Sequence, residues 1–152
     1  MEGGAGGGND VELVSKTLQF EHKLFYFDLK ENPRGRYLKI SEKTSATRST
    51  IIVPVDGIVW FLELFGYYIS TDEQDVFSKE LKLDSKAFYF DFGENKRGRF
   101  LKVAGADRSS IILPLSGLKQ FHEMIGHFVE ITKDRLEGMV GANVRTLEPA
   151  QR

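Results

Sequence analysis

The chain has 152 residues, 41% of them hydrophobic, with 21 Lys and Arg against 22 Asp and Glu and a formal net charge of −1. That length suffices for one compact domain or two small intertwined units with a respectable core, and near-neutrality excludes a global positive field that would attract a polyanion. The absence of cysteine excludes disulfides, thiol catalysis and thiolate metal sites. No apolar run approaches the roughly 20 residues that span a bilayer, so a soluble intracellular protein is expected.

In chain order, residues 1–10 are Gly-rich with no apolar core, which predicts a disordered tail and not a signal peptide. Val14, Leu18 and Phe20 then alternate with Ser15, Thr17 and Gln19 as a half-buried strand. In the next strand Phe25, Phe27 and Leu29 point one way and Tyr26, Asp28 and Lys30 the other. Glu31 to Gly35 carries Asn, Pro and Gly, which is turn chemistry. A third strand, Arg36 to Ser41, turns Leu38 and Ile40 inward and Tyr37 and Lys39 outward. The polar stretch Lys43 to Thr47 leads to a short fourth strand at Thr50 to Val53. Pro54 and Asp56 should open a helix through about Ile69, with Asp56 as its N-cap. Ile58, Phe61, Leu62, Phe65 and Ile69 form its apolar stripe, with Val59, Trp60 and Tyr67 beyond it. A helix so broadly apolar calls for a second partner besides its own sheet.

The whole pattern then recurs. At an offset of 63, Ser15-Lys16 matches Ser78-Lys79 and Lys23 through Lys39 matches Lys86 through Lys102. After a three-residue deletion the offset is 60, and Arg48-Ser49-Thr50-Ile51-Ile52-Val53-Pro54 matches Arg108-Ser109-Ser110-Ile111-Ile112-Leu113-Pro114. The second helix carries Leu118, Phe121, Ile125, Phe128 and Val129 on one side and Lys119, Gln120, Glu123 and His127 on the other, and is ordinarily amphipathic. Ile131 to Leu147 predicts a further short helix and a last extended segment. Units of about 60 residues are too long for a two-helix solenoid period, and two copies are too few for an array, so a paired, pseudo-twofold α+β domain with the order ββββα given twice is expected.

Charge is unevenly distributed. Lys23 to Arg48 holds seven Lys and Arg against three Asp and Glu, and Lys86 to Arg108 six against three, so the positive charge lies in the repeated blocks. The outward strand faces there combine cations with aromatics: Tyr26, Lys30, Tyr37 and Lys39 in the first copy, Tyr89, Phe100 and Lys102 in the second. Planar rings for bases beside charges for phosphates are what single-stranded nucleic acid requires, and each stacked base is worth roughly 1–3 kcal/mol. The turn residues Asn32, Arg34 and Arg36, with Asn95, Arg97 and Arg99, can reach base edges and phosphates. The structural alternative is that the aromatics pack under the partner repeat and the arginines pair with Asp28 and Asp91.

Other chemistry fares worse. Gly93 to Arg99 has the glycine spacing of a phosphate loop, but Arg99 stands for its Lys and Phe100 for its Ser or Thr, in a predicted hairpin. His122 and His127 are five apart on a helix and share no face for a metal. No nucleophile has a base, so no enzyme is read, and neither cofactor nor metal is expected.

The run Lys23-Leu-Phe-Tyr-Phe-Asp-Leu-Lys-Glu-Asn-Pro-Arg-Gly-Arg-Tyr-Leu-Lys39, with its second copy, closely resembles the PUR repeat of the purine-rich-element-binding family, in wording nearest to plant members. The resemblance covers nearly everything from Val11 onward. It implies a Whirly-like fold in which two repeats intertwine, each antiparallel sheet crossed by a helix: repeat I over 11–70, repeat II over 75–132 and a C-terminal extension over 133–152. It implies binding to purine-rich (GGN-type) single-stranded DNA and RNA with local duplex unwinding, in transcriptional or RNA regulation, with the nucleus as location and the cytoplasm as a second one. Carried over by position, the family's contacts fall on Lys23, Tyr26, Lys30, Asn32, Arg34 and Tyr37, and on Lys86, Asn95, Arg97 and Phe100. Gly93 stands where repeat I has Lys30, so the second surface should lose a phosphate contact.

Three-repeat members use a third repeat to dimerise. Here Asp107-Arg-Ser-Ser-Ile-Ile-Leu-Pro114 and the sequence to Arg152 resemble that third repeat, which implies a homodimer through this half and leaves room for regulatory protein partners. The rival reading is a protein-interaction or dimerisation module with little nucleic-acid affinity, centred on Trp60 and Tyr67.

Overall fold

The computed structural model describes residues 10–71, 78–83 and 86–139. Two four-stranded antiparallel sheets follow one another, each strand pairing with its sequence neighbour. The first holds β1 (Val11–Phe20), β2 (Lys23–Asn32), β3 (Gly35–Lys43) and β4 (Arg48–Pro54), and leads through a 3-10 turn (Val55–Gly57) into α1 (Ile58–Ser70). The second holds β5 (Lys79–Leu83), β6 (Lys86–Asn95), β7 (Gly98–Gly105) and β8 (Ser110–Pro114), and leads through Leu115–Gly117 into α2 (Leu118–Met139). The α+β order ββββα is present twice.

Strand alternation decides the faces. Phe27, Ile40 and Ile51 stand side by side on the inner face of the first sheet, and Phe90, Val103 and Ile111 do so on the second. All six are fully buried. Each helix covers the other repeat's sheet. Phe61 of α1 lies 5.1 Å from Phe88 and 5.3 Å from Phe90 on β6, while Phe121 of α2 lies 5.5 Å from Phe25 and 5.1 Å from Phe27 on β2. Phe65 and Phe121 close the cluster edge-to-face at 5.2 Å, so the helices also meet. This exchange intertwines the two units within one chain and explains the breadth of α1's apolar surface, which must satisfy both a foreign sheet and a second helix.

Two boundaries differ from those the sequence suggests. Asp56 does not cap α1: the chain makes a 3-10 turn first, and Gly57 takes the N-cap position with no side-chain hydrogen bond. The turn tucks Gly57 under Leu83 and, in the second copy, Gly117 under Phe20, so the helix start is set by packing against the opposite repeat. Beyond Val129 there is no separate short helix, since α2 continues unbroken to Met139. The predicted extended segment beyond it and the Gly-rich start, apart from Asp10, lie outside the described residues.

Candidate nucleic-acid interface

The registers assemble the outward faces into rows. On the first sheet Lys30 stands between Glu12 and Tyr37, Lys39 between Asp28 and Ile52, and Tyr26 between Thr17 and Ser41. On the second, Gly93 faces Phe100, Asp91 faces Lys102, and Tyr89 stands between Glu80 and Ala104. Tyr26, Lys30, Tyr37 and Lys39 therefore share a surface, as do Tyr89, Phe100 and Lys102. Tyr89 is 40% exposed. Tyr26 carries the Arg48 guanidinium 5.4 Å above its ring centre, a cation–π contact that the sequence pattern did not suggest.

The β2–β3 and β6–β7 hairpins have the same geometry. Asn32 Oδ1 accepts from the Arg34 amide at 2.9 Å and Asn95 Oδ1 from the Arg97 amide at 2.8 Å. Gly35 and Gly98 follow at φ +135° and +121°, a backbone region that side chains avoid. The asparagines thus shape the turn with their carbonyl oxygens and leave their amide nitrogens to face outward chemistry. Arg34 projects from its turn exposed, whereas the Arg97 guanidinium lies 2.6 Å from His22 Nε2, reaching the β1–β2 turn of the other repeat.

The aromatic pair at the hairpin bases is unequal. The Tyr37 hydroxyl donates to Asp10, and partial burial together with that carboxylate pushes its pKa up to about 12. It therefore stays a neutral ring across the physiological range. The Phe100 ring occupies the space beside Gly93: a Cβ built there would fall 2.6 Å from Phe100 Cε1.

Four of the predicted cations do not stand on the outward faces. Lys23, Lys86, Arg36 and Arg99 occupy strand positions of inward parity, in line with Phe25, Phe88, Leu38 and Leu101. Arg36 is half-buried and pairs with Glu31 at 3.5 Å. Lys23 pairs with Glu42 at 2.8 Å and donates to the Ile112 carbonyl at 2.7 Å, its ammonium spent on the seam between the sheets. Lys86 donates to the Ile52 carbonyl at 3.3 Å in the equivalent place. Asp28 and Asp91 accept from the Ser15 and Ser78 hydroxyls. Glu42 was invisible as a functional residue, although its parity with Leu38 and Ile40, a carboxylate on the core side, was the available signal.

The phosphate-loop spacing from Gly93 to Arg99 lies in β6, its turn and β7, not at a helix start. Among the described residues no three His, Asp or Glu are grouped to hold a metal. No described helix is long and apolar enough to cross a membrane. Trp60 is 53% exposed on α1, while Tyr67 is half-buried with the Lys79 ammonium 4.7 Å above its ring.

A family model described as PurA ssDNA and RNA-binding protein matches residues 73–141. Transcription factor Pur-alpha 1 of Arabidopsis thaliana is 45% identical over 270 aligned positions, covering 95% of this chain and 91% of that one. Transcriptional activator plp-1 of Caenorhabditis elegans is 30% identical, covering 77% and 60%, and transcriptional activator protein Pur-alpha of Homo sapiens is 28% identical, covering 78% and 46%. The chain spans about half the length of these animal relatives. The 270 positions aligned with the Arabidopsis protein outnumber the 152 residues here, so that relative carries internal sequence with no counterpart in this chain.

Proposed function

The chain belongs to the PurA family, and from that premise we propose that it binds purine-rich single-stranded DNA and RNA and acts in transcriptional or RNA regulation. The observation that carries the reading is the coincidence, in both copies, of an outward-facing aromatic–cation strand face with an Asn-Arg hairpin at its end. Tyr37 and Phe100 are the stacking or strand-separating residues. Lys30, Lys39, Arg34, Lys102 and Arg97 supply phosphate contacts, and the amide groups of Asn32 and Asn95 reach base edges. Tyr26 and Tyr89 extend the stacking surface. Lys23 and Arg36, each paired with a glutamate, act beneath this surface and hold the strands that present it. Repeat I carries most of the affinity, because Lys30 has Gly93 as its counterpart in repeat II.

Stacking and electrostatic attraction favour a strand whose bases are unpaired, which is the physical basis for local unwinding of a GGN-type duplex. The protein works in the nucleus, with a cytoplasmic role on RNA. The missing internal sequence relative to the Arabidopsis protein supports reading the second unit as joined from second-repeat and third-repeat sequence.

The decisive experiment titrates labelled purine-rich and pyrimidine-rich single strands at two salt concentrations, with mass determination in parallel. Purine-selective, salt-sensitive binding supports the proposal. Absence of binding alongside a stable dimer supports the interaction-module reading, which one observation favours: Val59 and Trp60 remain 44% and 53% exposed on α1.

A further inference from the structure

The two seams where the sheets meet are built to the same plan and finished differently. At one seam Lys23 of β2 and Glu42 of β3 reach the edge strand β8 of the other repeat. Glu42 Oε1 accepts the Ile112 amide at 2.7 Å, Glu42 Oε2 pairs with Lys23 at 2.8 Å, and Lys23 donates to the Ile112 carbonyl at 2.7 Å. A single buried carboxylate thus bridges an ammonium and a backbone N–H. At the other seam Lys86 takes the place of Lys23 and Ile52 that of Ile112. The position of Glu42, opposite Phe25 in the ladder, is held by Gly105, opposite Phe88.

What lies there is a cavity of about 300 Å³ lined by Ile52, Lys86, Phe88, Gly105, Asp107 and Ser109 among others. Its polar equipment matches the filled seam. Lys86 reaches the Ile52 carbonyl at 3.3 Å, its one hydrogen bond among the described residues. In an extended strand a residue's N–H and C=O point to the same side, so the Ile52 amide faces the cavity as the Ile112 amide faces Glu42. β4 is an edge strand, and among the described residues no neighbouring strand pairs with it on that side.

We infer that this cavity is a receptor for a carboxylate, suited to an acidic side chain of a bound protein, that would bridge the Lys86 ammonium and the Ile52 amide as Glu42 bridges Lys23 and Ile112. The chemistry of the ligand is set by the protein's own filled copy. A dianion fits worse, since Asp107 borders the cavity with its carboxyl held below the usual range by hydrogen bonds from Ser109. Asp107 senses Lys86 but no ion pair joins the two, and among the described residues the Ile52 carbonyl is the one hydrogen-bond acceptor of the Lys86 ammonium. The inference is independent of nucleic-acid binding, because the cavity lies at the seam and not on the outward strand faces.

The test follows the Ile52 amide in amide-correlation spectra of the whole protein. A short blocked peptide bearing one Glu should move it saturably, while the same peptide with Gln should not. Lys86→Gln should remove the response. Asp107→Asn, which keeps an oxygen for Ser109, should tighten binding several-fold by removing a like charge. A peptide response stronger than that of sodium acetate assigns the ligand to an acidic side chain, and an equal one to a free carboxylate; both uphold the receptor. No movement of Ile52, an equal response to the Gln peptide, an unchanged response in Lys86→Gln, or a stronger response to inorganic phosphate overturns it.

Discussion

Phe100 lies across Gly93 on the neighbouring strand, so close that a Cβ on the glycine would meet its ring. The equivalent pair in repeat I, Tyr37 beside Lys30, has room for both side chains. The glycine is thus more than a lost phosphate contact, since its bare backbone is the seat on which the ring of Phe100 rests. Gly93→Lys is therefore expected to act in two directions. The salt slope of binding should steepen by about 0.7 for the added phosphate contact. Affinity at high salt should fall, because the displaced ring no longer stacks. A uniform gain at all salt concentrations would show that Phe100 was not positioned by this contact.

The filled seam predicts a stability asymmetry. Glu42 is 92% removed from solvent and Lys23 nearly so, and each satisfies the other together with one backbone group of β8. Removing one partner of a buried pair strands the other charge and costs roughly 3–5 kcal/mol. Glu42→Leu and Lys23→Ala should each show a loss of that order in denaturant unfolding. Lys86→Ala at the open seam should behave as a surface substitution. Any loss of nucleic-acid binding in Lys23→Ala should accordingly track the fraction unfolded, and vanish when the variant is assayed well below its melting temperature.

The fold was largely legible because its signals were redundant. Two copies of one alternation pattern fixed which of Phe25, Tyr26, Phe27 and Asp28 faced inward, and one copy checked the other. The intertwining left only an indirect trace, the excess apolar surface of α1, since periodicity reports that a helix has a partner and not which sheet supplies it. For the charged residues, strand parity was a signal in the sequence left unused. Arg36 and Arg99 entered the candidate site as turn residues and Lys23 and Lys86 through the resemblance, and each shares the parity of a core residue. Glu42 and Gly105 could be aligned, but nothing local says that one side chain closes a seam and its absence leaves the other open.

Tyr37 gives a pH signature. A phenol whose pKa is raised on folding, here from near 10 to about 12, stabilises the protein fully below its unfolded value. That contribution is lost as pH rises from about 10 through about 12. Tyr68, pushed up mainly by burial, acts in the same sense at higher pH. Tyr37→Phe, which keeps the ring and removes the proton, should flatten the fall in unfolding free energy over that window and leave stability near pH 7 lowered by the lost Asp10 hydrogen bond, about 1 kcal/mol. An unchanged alkaline slope would mean that Asp10 does not hold Tyr37 in solution.

Trp60 and Val59 test the competing function. If self-association runs through α1, Trp60→Ala should lower the mass measured at micromolar concentration and leave oligonucleotide affinity unaltered. Tyr67→Ala should have less effect, because that ring is already covered by Lys79 and packed on Tyr68.

The stacking pair decides the nucleic-acid reading. At roughly 1–3 kcal/mol per stacked base, Tyr37→Ala with Phe100→Ala should weaken binding to a GGN-repeat strand by well over tenfold. The loss should appear equally at low and high salt, since neither ring carries charge. Lys30→Ala should behave in the opposite way, with a modest loss at low salt that disappears as salt rises and a slope lowered by about 0.7. The two signatures separate stacking from phosphate contact on a single surface, because Lys30 and Tyr37 are cross-strand neighbours and any general disturbance of the hairpin would move both readouts together. If the aromatic double substitution leaves affinity intact while the fold is retained, the outward strand faces are not where the strand binds.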